Sequence, residues 1–212
     1  MVTEKKYRIL DEAVYRLDTK QPVYQIQALR DVGTDVKAGD FGGYVEREYN
    51  LSQQGECWIY GRGTVYGNAQ VMDDARVIEL ATVCGSAIIK DRAIIGNQAT
   101  VKGKSIVCDD AYVGNIATVD DGAMICDNAH IYGRASIDYH AVVGGDAIVE
   151  GHAAIIENAV VMGHAHISDY AKVMGSAVVG GHSVVRGEKV ISDHTRYFDD
   201  TILDAQYVRE YK

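Results

Sequence analysis

From Cys57 to about Asp193 the chain repeats every six residues. A small residue stands at 57, 63, 69 and each sixth position on to 183. It is Ala from 69 to 99 and from 111 to 177, with Cys57, Gly63, Ser105 and Ser183 at the other positions, and Lys189 departs from the rule. Two places later Val or Ile recurs without exception, from Ile59 through Val101 to Ile191. Two places beyond that come turn formers such as Asp73, Gly85, Asp91, Asn97, Asp109, Asp127, Gly145 and Gly163. Strand side chains alternate faces, so the small residue and the Val or Ile two places on share one side. A helix would scatter them. Each hexad is therefore predicted to be a short strand and a bend, and the fixed period predicts an all-β solenoid.

This repeat resembles that of the hexapeptide-repeat, left-handed parallel β-helix proteins. The resemblance implies three hexads per coil, a triangular prism of about seven to eight coils by the same repeat logic, and a left-handed winding. The general crossover rule by itself would give the opposite hand. Eighteen-residue coils sort the outward positions into three columns. One reads Gln70, Ile88, Ile106, Met124, Val142, Val160, Val178; the next Arg76, Ile94, Tyr112, His130, Ile148, His166, Val184; the third Thr82, Thr100, Thr118, Ser136, Ala154, Lys172, Val190. The columns differ in character, so the coil has register, and the unbroken spacing leaves no place for a long loop.

Residues 1–56 read differently. KYRILDEAVYRL and VYQIQAL alternate apolar and polar residues, and AGDFGGYVE is a Gly-rich turn into another strand. A small β cap that closes one end of the 57–193 solenoid is expected, with Trp58 packed against it. DVKAGDFGGYVE followed by LSQQGECWIY resembles the YdcK-type group of bacterial and phage hexapeptide proteins, a group with no settled activity. In the tail, 194–212, the hexad holds loosely through Tyr197 and Leu203. Tyr207, Val208 and Tyr211 then suggest a terminal capping element.

A net charge of −9 opposes nucleic acid or an anionic membrane surface as a main partner. No apolar run is long enough to span a membrane, and MVTEKKYRIL lacks the apolar core of a signal peptide, so a cytoplasmic protein is expected. Four Cys without metal spacing fit a reducing compartment. Cys108 and Cys126 fall one coil apart in one column, close enough to approach each other, with free thiols the simpler reading.

The Gln70 column is apolar from Ile88 onward: Ile88, Ile106, Met124, Val142, Val160 and Val178, joined by Met162 in a neighbouring slot. Such a strip should be covered. Either the cap or tail folds over it, or, as the family resemblance implies, prisms pack through it as a homotrimer. The corner after this face stacks Asp73, Asp91, Asp109, Asp110 and Asp127. Asp109, Asp110 and Asp127 are the candidate ligands for Ca2+ or Mg2+, and solvated turns are the plainer reading. Farther along the same corner come Asp146, His164 and His182 on successive coils. An imidazole one strand spacing from a carboxylate has the parts of a base and its orienter. In hexapeptide acyltransferases a His near a subunit cleft deprotonates the acceptor. The resemblance therefore implies His164 as base and Asp146 as its orienter, with His182 beside them or completing a metal site; polar turn residues of no special role are the plainer reading.

His130 and His166 share a face two coils apart, and His140 and His152 lie on the other corners, so no three-His zinc site of the family's carbonic anhydrases assembles. Against an acyltransferase stand the missing loop, the single Pro22, and only Lys90, Arg92, Lys102 and Lys104 as a sparse grip for phosphates. Two readings remain: a non-catalytic trimeric scaffold binding a small molecule or a partner protein, or an acyltransferase using acyl-CoA with His164 as base.

Overall fold

A computed structural model describes residues 4–15 and 21–205. Among them the structure is β throughout, with one 3-10 turn, Glu48–Asn50, and no α-helix. Strands of mostly two residues, such as Ile106–Val107 and Tyr112–Val113, stack into three sheets of 11, 9 and 8 strands. Each strand pairs in parallel with those one coil away, Ile106 with Ile88 and Met124, Tyr112 with Ile94 and His130, Thr118 with Thr100 and Ser136. Every partner is one eighteen-residue coil distant, and the three outward columns are the three sheets.

The solenoid has about nine turns by its nine-stranded sheet, more than the hexad count suggests, because the parallel ladder continues at both ends. At the far end Arg196–Tyr197 pairs with Val178–Val179 and Ile202–Ala205 with Val184–Gly187. Tyr197 and Leu203 hold the Val/Ile positions there, so the loose hexads of the tail still make coil. At the near end β1 (Tyr7–Val14) pairs antiparallel with β2 (Val23–Ala28), β2 antiparallel with β3 (Phe41–Val45), and β3 parallel with Thr64–Val65. The N-terminal strands thus lengthen the Thr100 sheet. Trp58 is buried edge-to-face against Tyr7, with ring centroids 6.2 Å apart. Tyr207, Val208 and Tyr211 lie outside the described residues.

The core follows from the repeat. Ala and Val/Ile share the inward side of each strand, and both columns are fully buried from Ala69 and Val71 to Ala177 and Val179, apart from Ser105, which is buried too. Outward N–H groups hold the coils together: Ile106 N–H donates to Ala123 O at 3.0 Å and Cys108 N–H to Ile125 O at 3.0 Å. The turn residue two places after each Val/Ile adopts positive φ, +57° at Asp109 and +66° at Gly145. L-residues resist that conformation, and Asn, Asp and Gly tolerate it best, which explains their hold on the slot. At Gly145 a Cβ would also lie 2.6 Å from the Gly163 nitrogen, so the stacked turns themselves demand glycine there.

Candidate functional site

The corner that follows the Ile106 sheet carries the chemistry. Its turn positions stack one above another, and the residue just after each turn projects outward. Asp146, His164 and His182 occupy that outward position on successive coils, and the structure brings them into contact. His164 Nδ1 lies 3.5 Å from Asp146 Oδ2, and the His164 ring stacks on His182 with centroids 4.8 Å apart and planes 9° from parallel. The column continues at both ends: Asn128 donates to Asp146 Oδ1 at 2.9 Å, and His182 Nδ1 lies 3.3 Å from Asp200 Oδ1. Asp200 belongs to a coil beyond the regular repeat, where the spacing signal had faded. All of these groups are exposed, so each imidazole has a ring edge open to a reactant.

Lower on the corner, the carboxylates have internal partners. Asp91 N–H donates to Asp73 Oδ2 at 3.3 Å, Asp109 N–H to Asp91 Oδ2 at 3.3 Å, Asp127 N–H to Asp109 Oδ2 at 3.1 Å, and Gly145 N–H to Asp127 Oδ2 at 2.8 Å. Each acid thus ties its turn to the next and satisfies a backbone donor. Asp110 does not join Asp109 and Asp127. It takes the Arg92 guanidinium, Nε to Oδ1 at 2.6 Å, and that bond lowers its pKa. The groups that converge within 4.8 Å are instead Asp91, Cys108 and Asp109, and Asp109, Cys126 and Asp127. A set of two carboxylates and a thiol is softer than the all-oxygen set that Ca2+ or Mg2+ takes. Cys108 and Cys126 are free thiols. Burial, reinforced by Asp109, pushes Cys108 up to about 12; burial, reinforced by Asp127, pushes Cys126 up to about 11.

The apolar face beside this corner is the eight-stranded sheet, with Ile88, Ile106, Met124, Val142, Val160 and Val178 in one outward row. Leu51 bridges to Val71 at its Gln70 end. Met124 and Met162 remain 36% and 40% exposed in the single chain.

No protein-family model matches the chain. Over 80 residues, 34% of its length, it is 39% identical to a protein of Escherichia coli (strain K12) named "Uncharacterized acetyltransferase YdcK". The match spans 24% of that protein's length. The chain is thus similar over about a third of its length to a protein named an acetyltransferase, and its six-residue solenoid is consistent with a hexapeptide-repeat β-helix. No helix among the described residues is long and apolar enough to cross a membrane.

One buried constellation has no sequence signal. Lys6 is fully buried, and its ammonium donates to Cys57 O at 2.9 Å, Gln54 O at 3.1 Å and Gly55 O at 3.4 Å, with Cys57 Sγ at 3.2 Å. Burial lowers the pKa of Lys6, opposed by Cys57. Nothing in the KKYRIL stretch separates this lysine from its solvated neighbour Lys5, which pairs with Glu48. Two other histidines have ordinary partners: His130 Nδ1 lies 2.8 Å from the Tyr132 hydroxyl, and His166 Nε2 lies 2.8 Å from Glu150 Oε1.

Proposed function

We propose that the chain is a left-handed, trimeric β-solenoid acyltransferase, with prisms packed through the Ile106 face and the His164 corner opening into the cleft between them. The observation that carries the reading is the His164–Asp146 pair, 3.5 Å apart on the corner that borders the apolar face. A carboxylate beside Nδ1 favours the tautomer with the proton there, leaving the Nε2 lone pair toward solvent. In acyl transfer from acyl-CoA, Nε2 takes the proton of an acceptor hydroxyl or amine as the acceptor attacks the thioester carbonyl. Asp146 steadies the resulting imidazolium. The carbon–sulfur bond then breaks, and the proton passes from Nε2 to the departing CoA thiolate. His182, stacked above and paired with Asp200, holds the ring plane of His164. The partial likeness to a protein named an acetyltransferase supports the same reading.

The test is turnover of acetyl-CoA, followed as free thiol, across a panel of sugar and amine acceptors. His164→Ala should lower it by about 100-fold or more, the range of a general base. Turnover unchanged in His164→Ala refutes the assignment. A second reading, a non-catalytic trimeric scaffold that binds a small molecule or a partner protein, is favoured by one observation. From Trp58 to Ala205 strand follows strand with no inserted loop to carry further catalytic groups. Calorimetric titration with acetyl-CoA separates the two, since saturable binding is expected of the enzyme alone.

A further inference from the structure

A different corner holds a second site. Between the Tyr112 sheet and the Thr100 sheet runs a trough of about 520 Å³, lined by Gln98, Asn115, Ile116, Gly133, Arg134 and His152 among others. It forms because the turn column changes from Asn97 and Asn115 to Gly133 and Gly151, whose floor is bare backbone. A Cβ on Gly133 would lie 2.7 Å from the Gly151 nitrogen, so no side chain fills the space.

Some of the groups that line it are unengaged, although Asn97 donates to Glu79 Oε2 at 2.6 Å. Among the described residues the side chains of Gln98, Asn115 and Arg134 make no hydrogen bond or ion pair. Arg76, Arg92 and Arg186, elsewhere on the solenoid, each face a carboxylate. Two aromatic ledges adjoin its residues in the chain and the coil, and of their rings only His152 lines the trough itself. On one, the Tyr112 and Tyr132 rings lie 5.4 Å apart, and the Tyr112 hydroxyl donates to Asn97 Oδ1 at 3.3 Å. Gly114 lets the Tyr112 ring lie against the sheet, since a Cβ there would meet its Cε1 at 2.3 Å. On the other, His152 stacks on Tyr170, centroids 4.7 Å apart and planes 6° from parallel, with Tyr170 well exposed.

We propose that this trough binds a saccharide carrying a carboxylate. The apolar faces of sugar rings pack on aromatic side chains. Primary amides offer hydroxyl groups both a donor and an acceptor. A guanidinium without an internal acid takes a carboxylate through two parallel bonds. The trough is an open groove and not an enclosed pocket. Because the site lies on another corner from His164, the inference stands apart from the acyl-transfer reading.

The experiment is calorimetric titration of the full chain with a hyaluronan tetrasaccharide, which has carboxylates, and with chitotetraose, which has none. Saturable binding of the first and none of the second is expected. Arg134→Gln should weaken it about tenfold, the loss of one charge-assisted contact. Tyr170→Ala should also weaken it, and His164→Ala should leave it intact. Arg134 and Tyr170 are both exposed, so both variants should melt with the parent. Absence of saturation with hyaluronan overturns the proposal. So does equal binding of chitotetraose, displacement by an equal concentration of inorganic phosphate, or an unchanged affinity in Arg134→Gln.

Discussion

Two serines occupy the small-residue column, and their replacement by alanine should move stability in opposite directions. Ser105 and Ser183 are both fully buried where other coils carry Ala. The Ser105 hydroxyl has no hydrogen-bond partner. That of Ser183 donates to Asp199 O at 2.6 Å. An unsatisfied buried hydroxyl costs about 1 to 3 kcal/mol in desolvation, and the repeat shows that a methyl group fits this slot. Ser105→Ala should therefore stabilise by about 1 kcal/mol. Ser183→Ala removes a made bond, while the Asp199 carbonyl keeps the Thr201 N–H at 2.7 Å, so it should destabilise by about 1 kcal/mol. For a chain of this size the melting temperature should rise by about 2 to 4 °C in the first and fall by a similar amount in the second. Urea and thermal unfolding followed by far-ultraviolet circular dichroism give both numbers. If Ser105→Ala proves neutral or destabilising while Ser183→Ala behaves as expected, the Ser105 hydroxyl has a partner, and the assignment of its penalty is wrong.

Tyr139 sits at φ +60° in a turn slot and is largely exposed, so Tyr139→Gly should relieve left-handed strain and raise the unfolding free energy by about 0.5 to 1 kcal/mol after the added unfolded-state entropy, read as a higher urea midpoint. Lys6→Met strips three carbonyls of a buried donor and should destabilise by about 2 kcal/mol or more, read in the same assay. The thiols set a pH dependence: folded values of about 12 for Cys108 and about 11 for Cys126, against an ordinary 9.0, mean the unfolded chain loses these protons first. Stability from this source is full below pH 9 and declines toward pH 12, and the Cys108→Ala, Cys126→Ala double variant should flatten the alkaline limb of a stability–pH profile. Ile106→Asp puts a charge in the centre of the apolar row, and sedimentation velocity should show monomers or aggregate where the proposed assembly gives trimers for the parent; a trimer unchanged by the substitution moves the interface elsewhere.

The His164 corner was legible because an uninterrupted eighteen-residue period turns sequence distance directly into spatial adjacency. Asp146, His164 and His182 needed only counting. The same arithmetic misjudged Asp110. Counting gives the corner but not the direction of a side chain, and Arg92, one coil below, drew that carboxylate away. It also missed the thiols as neighbours of Asp109 and Asp127, since they stand in a slot assigned to the apolar face. The trough was invisible for a related reason: it is a space left by Gly133 and Gly151, and an absence of side chains has no motif.

Three hexads per coil, and so three sheets, came with the family resemblance; the hexads by themselves determined the solenoid, the facing of its side chains and its core. Each of these depends on local alternation and on one repeat length, and both are written in consecutive residues. The tertiary structure decided what depends on contacts between segments far apart in the chain. It extended the ladder through Ala205, where Tyr197 and Leu203 fill the inward position less faithfully than Val or Ile. It joined β1, β2 and β3 to the Thr100 sheet through a parallel pairing with Thr64–Val65. It buried Lys6 under the carbonyls of residues 54, 55 and 57, nearly fifty positions along the chain. Such a partnership has no period, and the hydrogen bonds that offset the desolvation of the ammonium exist only once the coil has closed.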